Sequence, residues 1–131
     1  MDEFTQTQYA QLAQLFDTLD HQLRDDIRAT LLQSGDQRYI DLAGMVHDTG
    51  DESVADVLAE FDNKHVDRSL QELHEIEVVR KRLAQGSINS CIECGGDIGF
   101  EQLLAYPVAV RWIACQEQFE KTRAHEATPR L

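Results

Sequence analysis

The 131 residues suit one ordinary domain or an elongated element with a small module, and a 42% hydrophobic, 7% aromatic and 27% charged composition argues for solvent-exposed helices over a large globular core. The net charge of −12 comes from 12 Lys and Arg against 24 Asp and Glu, and residues 1–50, 51–86 and 87–131 are each acidic, so DNA or RNA binding through phosphate neutralisation is disfavoured and the chain instead suits a basic protein partner. No apolar run reaches a membrane span, the start has no basic-then-apolar leader, and three cysteines are an odd number for a disulfide framework, so a reducing cytoplasm is the expected compartment.

Residues 8–33 predict a helix. Tyr9, Leu12, Leu15, Phe16, Leu19, Leu23, Ile27 and Leu31 recur at steps of three and four. SGDQ, residues 34–37, is a breaker signal, with a kink or weak point expected at Gly35. The helical pattern resumes with Tyr39, Leu42, Met45 and Val46. HDTGDES, residues 47–53, predicts a turn, in which Thr49 or Asp51 would cap the next helix.

Residues 52–85 hold neither Pro nor Gly and carry an apolar stripe from Val54 to Leu83. They predict one long helix of roughly 50 Å ending at Gly86. The expected fold is mainly α. Two long helices form an antiparallel hairpin over 1–86, either as a two-stranded coiled coil or as half of a bundle, with its acidic turn near 48–53. A small zinc-finger-like module over 87–125 follows, with a helix over 110–125 and a tail over 126–131.

The module begins as a zinc knuckle does. Cys91 and Cys94 form a C-x-x-C pair followed by Gly95 and Gly96. A second C-x-x-C is due about 15–20 residues later. Cys115 stands there, but Trp112 occupies the position three residues before it and cannot coordinate. Glu93, Asp97, Glu101, His125 or water are the substitutes on offer. Three readings stay open: a zinc site of Cys91, Cys94 and Cys115; a metal-free module; and a redox pair, which lacks its usual βαβ context.

At the turn, Asp48 and Asp51 read either as cap and turn chemistry or as a projected pair of acids. Histidines 21, 47, 65, 74 and 125 are scattered, no phosphate-binding loop is present, and no enzyme is expected.

Taken together, the helical hairpin, the acidic turn and the run CIECGGDIGFEQLLAYPVAVRWIAC resemble the DksA/TraR family of bacterial RNA polymerase regulators. The resemblance covers roughly residues 35–123. Cys91, Cys94, Gly95, Ile98, Leu103, Ala105 and Pro107 match the family's finger signature, and Trp112 and Cys115 align with its second cysteine pair. Asp48, Asp51 and Ser53 match its D-x-x-D-x-A tip, with Ser in place of Ala.

The resemblance implies a cytoplasmic, monomeric, non-catalytic transcription regulator. It would dock on RNA polymerase without holding DNA and pass the tip acids into the secondary channel. The nucleotide ppGpp enters as the co-regulator of some family members in the stringent response. The alternative is a coiled-coil adaptor with no polymerase activity. With Trp112 in place of a thiolate, zinc is expected to be weak or absent, and Trp112 packed with Ile98, Leu103 and Phe119 is expected to hold the module instead.

Overall fold

The computed structural model describes residues 3–127, with the side chains of all but Asp51 and residues 124–127. Residues 128–131, the end of the expected tail, lie outside the described residues. The described chain is mainly helical, in the order α1 (Gln6–Leu32), α2 (Gln37–Ala43), α3 (Asp51–Val57), α4 (Lys64–Ala84), α5 (Phe100–Ala105) and α6 (Ile113–Ala127). Among these residues no helix is long and apolar enough to cross a membrane.

Helix α1 starts at a reciprocal cap. Thr5 Oγ1 accepts from the Gln8 amide, and Gln8 Oε1 accepts from the Thr5 amide. It stops where Gly35 adopts φ +74°, a left-handed conformation that a residue with a Cβ reaches only at a cost. Asp36 then caps α2 by accepting from the Arg38 amide. Gly35 therefore marks a true helix end, where only a kink or a weak point in a continuing helix was expected.

The uninterrupted helix expected over 52–85 is not present. The chain leaves α3 after Val57 and re-enters a helix at Lys64. Asn63 makes the restart, its side chain accepting from the Val66 amide at 3.1 Å, and Asp67 adds a negative charge to the first turn. Neither Thr49 nor Asp51 caps α3. Its cap is Gly50, without a side-chain hydrogen bond, while Thr49 bonds back to the Met45 carbonyl. At 21 residues, α4 extends roughly 30 Å.

α1 and α4 pack antiparallel, and two cores lie along them. Leu12 and Phe16 of α1 meet Ile76 and Val79 of α4, and this core continues into Ile88, Cys91, Ile98, Leu103 and Ala109. Ile27 and Leu31 meet Val66 and Leu73 at the other end, where Ala43, Val46, Val54 and Leu58 complete the cluster. Helices α2 and α3 thus fold back over the far half of the pair instead of extending it. Burying each such Leu, Ile or Phe side chain contributes about 1.5–3 kcal/mol.

Arg24 secures the fold-back. The side chain is buried, and Nη1 donates to the Val46 and Thr49 carbonyls at 2.6 and 2.8 Å. Nε donates to Asp20, one turn earlier, at 3.1 Å. A second tie, between Arg80 and Asp17, crosses from α4 to α1 on the exposed side.

Removing the fork should be costly, because it orphans two carbonyls next to a buried cavity. Arg24→Ala is expected to lower stability to urea by about 2–4 kcal/mol. Arg24→Lys should recover only part, since an ammonium lacks the planar fork. A loss within about 0.5 kcal/mol, the range of an ordinary surface change, would show that the fork is not what holds the segment.

Candidate functional site

The thiol cluster is built on the turn after α4. Gly86 leaves the helix at φ +75°, and Arg82 reaches forward to the Ile88 and Ser90 carbonyls. The chain then makes an isolated antiparallel bridge between Ser90 and Asp97, closing a tight loop around the C-x-x-C pair. Inside it, the Cys91 amide donates to the Gly96 carbonyl at 2.8 Å and the Gly95 amide to the Cys91 carbonyl at 3.0 Å. Gly95 sits at φ +74°. The Gly96 amide donates to Cys94 Sγ at 3.3 Å, and a Cβ on Gly96 would stand 3.2 Å from that sulfur. Gly95 is favoured by its backbone angle, while a Cβ on Gly96 would require Cys94 Sγ to give by a few tenths of an ångström.

The irregular run after α5 brings in the third thiol. The Ile92 amide donates to the Val110 carbonyl, and Gln102 Nε2 donates to the Arg111 carbonyl at 2.9 Å. These bonds set the start of α6 beside the knuckle. The sulfurs of Cys91, Cys94 and Cys115 lie within 4.8 Å of one another. Cys91 is buried, Cys115 half-buried and Cys94 exposed.

The sulfurs are electrostatically unequal. Burial pushes the Cys91 thiol up, but the amides of Cys94, Trp112 and Glu93, with the Cys94 thiol, pull it down to about 6. Cys115 goes the other way, to about 11, through burial and hydrogen bonding with Cys94 and Cys91, opposed by the Trp112 side chain. Converging amides that stabilise a thiolate are what a metal-binding knuckle supplies. A thiol oxidoreductase needs its activated sulfur open to attack; here the sulfur with the lowered pKa is 3% exposed.

The donor set suits a soft divalent ion such as zinc, with three thiolates and one position left for water. Among the described residues no His, Asp or Glu joins the cluster. Glu93 is instead paired with Arg111 at 3.1 Å. The side chain of His125 lies outside the described residues.

Trp112 does not form the module's core, contrary to expectation. It is 41% exposed, and Phe119 lies beneath the Arg111 guanidinium at 3.7 Å. The Trp112 amide faces Cys91 and its side chain interacts with Cys115, so the ring stands at the mouth of the thiol cluster rather than under it. Ile98 and Leu103 are buried as expected, but against Ile88, Ala109 and the α1–α4 base.

The acidic segment lies elsewhere, at the distal core. Asp48 is exposed, Asp51 opens α3, and Ser53 is exposed on its first turn. Ser53 borders an open cleft with Arg24, Gly50, Glu52, Glu77, Arg80 and Lys81. The bond from Arg24 to the Thr49 carbonyl holds this segment against α1 about two turns before that helix ends. It is a flank of the distal half, not its extremity.

One group escaped the sequence reading. His21, Asp25 and His47 converge with donor atoms within 4.8 Å of one another. The sequence signal was the spacing of His21 and Asp25, one turn apart on α1; His47 joins only through the fold-back.

No protein-family model matches the chain, and no curated protein matches it. Among solved structures, it is similar to that of transcription factor DksA2 from Pseudomonas aeruginosa, at 24% identity and a TM-score of 0.45, over 82% of this chain and 90% of that one.

A thiolate at position 112 would complete the tetrahedron. Four-ligand structural sites contribute about 10–16 kcal/mol, so one ligand is worth roughly 2.5–4 kcal/mol. Trp112→Cys is therefore expected to tighten zinc binding by roughly 60- to 700-fold, measured by competition with a chromophoric chelator. A wild-type protein that already holds zinc as tightly as the variant would refute a three-thiolate site.

Proposed function

We propose that this protein is a non-catalytic transcription regulator that docks on RNA polymerase through protein contacts. In this reading the finger orients the dock, and Asp48 and Asp51, with Ser53 beside them, act at the secondary channel. The observation that carries the reading is the way the finger signature comes together. Cys91 and Cys94 face Cys115 across a knuckle whose Gly95 is left-handed, over buried Ile98 and Leu103. Residues that match a family motif only as letters have no reason to converge on one centre.

Two further features support it. The surface around the finger exposes Ile92, Trp112 and Ile113, apolar side chains suited to a protein contact. The charge of −12 repels a nucleic-acid backbone and attracts a basic protein channel. Asp48 and Ser53 are exposed where they stand, so a partner can reach them without unfolding the segment.

The purified protein is expected to bind core RNA polymerase and to change transcription from a stable-RNA promoter, measured with and without ppGpp. Asp48→Asn with Asp51→Asn should keep binding and lose the effect. An unchanged effect removes the acids from the mechanism. No binding by the wild-type protein overturns the reading in favour of an adaptor for another partner.

A further inference from the structure

Helix α1 and the α2–α3 connection share a cluster of metal-ligating side chains distant in the fold from the thiols. His21 and Asp25 lie one turn apart on α1, and His47 comes from the connection. The Asp25 carboxylate stands between the two imidazoles. His47 Nε2 donates to Oδ1 at 2.8 Å, and His21 Nε2 lies 3.5 Å from Oδ2. The rings stack at 4.6 Å between centroids, with 35° between their planes.

These are the donors of a transition-metal site. Two imidazoles and one carboxylate suit zinc and its first-row neighbours, whereas magnesium and calcium prefer all-oxygen sites. A tetrahedral zinc with ligands about 2.0–2.2 Å away sets their atoms about 3.3–3.6 Å apart. The 3.5 Å separation from His21 to Asp25 Oδ2 lies within that spacing, the 2.8 Å from His47 to Oδ1 is shorter, and all three donor atoms lie within 4.8 Å of one another, so rotations of the side chains admit an ion.

The third ligand is held in place independently of any ion. Arg24, one residue before Asp25, binds the Val46 carbonyl on one side of His47 and the Thr49 carbonyl on the other. The backbone that carries His47 is thus fixed to the helix that carries the other two ligands, which lowers the ordering cost of binding. Access is open, because the side chains of His21 and Asp25 are 68% and 54% exposed.

We infer that His21, Asp25 and His47 form a binding site for a divalent transition-metal ion of the zinc class, which clamps the α2–α3 connection to α1. The ion takes the place of the proton between His47 and Asp25 and leaves a position for water. Because His47 precedes Asp48, the ion sets how firmly the acidic segment is held. The inference does not depend on what that segment contacts.

The test uses the full chain, stripped of metal and titrated with zinc, with the histidine ring resonances followed by NMR. The His21 and His47 signals are expected to move together and saturate, while those of His65 and His74 stay still. Amide exchange over residues 44–49 should slow at the same point. Cobalt substitution separates this event from the thiols, since only thiolates give sulfur-to-cobalt charge-transfer bands.

His47→Gln is expected to weaken zinc binding here by more than about tenfold, the scale set by losing even an outer-shell partner, and to leave the charge-transfer bands unchanged. His21→Gln, on the exposed face of α1, should do the same without risk to folding. Zinc that fills the thiol cluster while the His21 and His47 signals remain fixed overturns the inference. So does His21→Gln binding with wild-type affinity.

Discussion

A single buried guanidinium decides the shape of the distal half. Apolar burial accounts for only part of the turn of residues 44–50 back along α1: Val46 is buried, but the rest of the segment is short and rich in turn formers. Arg24 ties it there by offering two donors of one planar group to the Val46 and Thr49 carbonyls. A buried charge is tolerated only when its hydrogen-bonding capacity is filled, and Asp20 with these carbonyls fills much of it. Val46, Val54 and Leu58 then reach the core of Ile27 and Leu31. The position of the acidic segment along α1, and the meeting of His47 with His21 and Asp25, both follow from that placement.

The finger obeys a different constraint. Its buried residues do not form a core of their own but complete the one begun by Leu12, Phe16, Ile76 and Val79. Cys91 belongs to both systems, as a sulfur facing two other thiols and as a buried wall of the apolar cluster. Packing against the helices therefore fixes Cys91 and, at the margin of the core, Cys115, independently of any fourth ligand. That is the physical setting in which an exposed Trp112 is tolerated: the position guards the rim of a site whose floor is held from below.

Much of this was legible in the sequence, and the failures have causes. The period of Leu12, Phe16, Ile27 and Leu31 marked α1 because a long helix buries one stripe throughout. The SGDQ breaker at Gly35 was legible, but only as a kink or weak point; that it ends the helix follows from the left-handed angle, which glycine permits. The break between α3 and α4 was hidden because no Pro or Gly intervenes between Leu58 and Val66, and the step of five from Phe61 to Val66 was a weak sign of it. Asn63, as a side-chain cap with Asp67 in the next turn, was the available signal. Trp112 misled because its size suggests burial, whereas its backbone is committed to the thiol cluster. The His21–Asp25–His47 cluster was half visible, as a one-turn spacing; its third member needed the Arg24 contacts, which periodicity does not encode.

The aromatic contact that seals the base has a consequence for how the molecule forms. Phe4, just ahead of α1, meets the ring of Phe100 edge-on at 5.6 Å, at the first residue of α5. About three-quarters of the chain separates these two rings. The base core has the same character, since Leu12 and Phe16 wait for Ile98, Leu103 and Ala109. Loop closure must be paid before such contacts return anything, so topology of this kind slows folding. The distal core, by contrast, joins Ile27 and Leu31 to residues no further along than Leu73. The two cores thus differ in the chain separation they must close: the one that carries the acidic segment draws on residues 27–73, while the thiol-bearing segment closes on the start of α1 across a much longer loop.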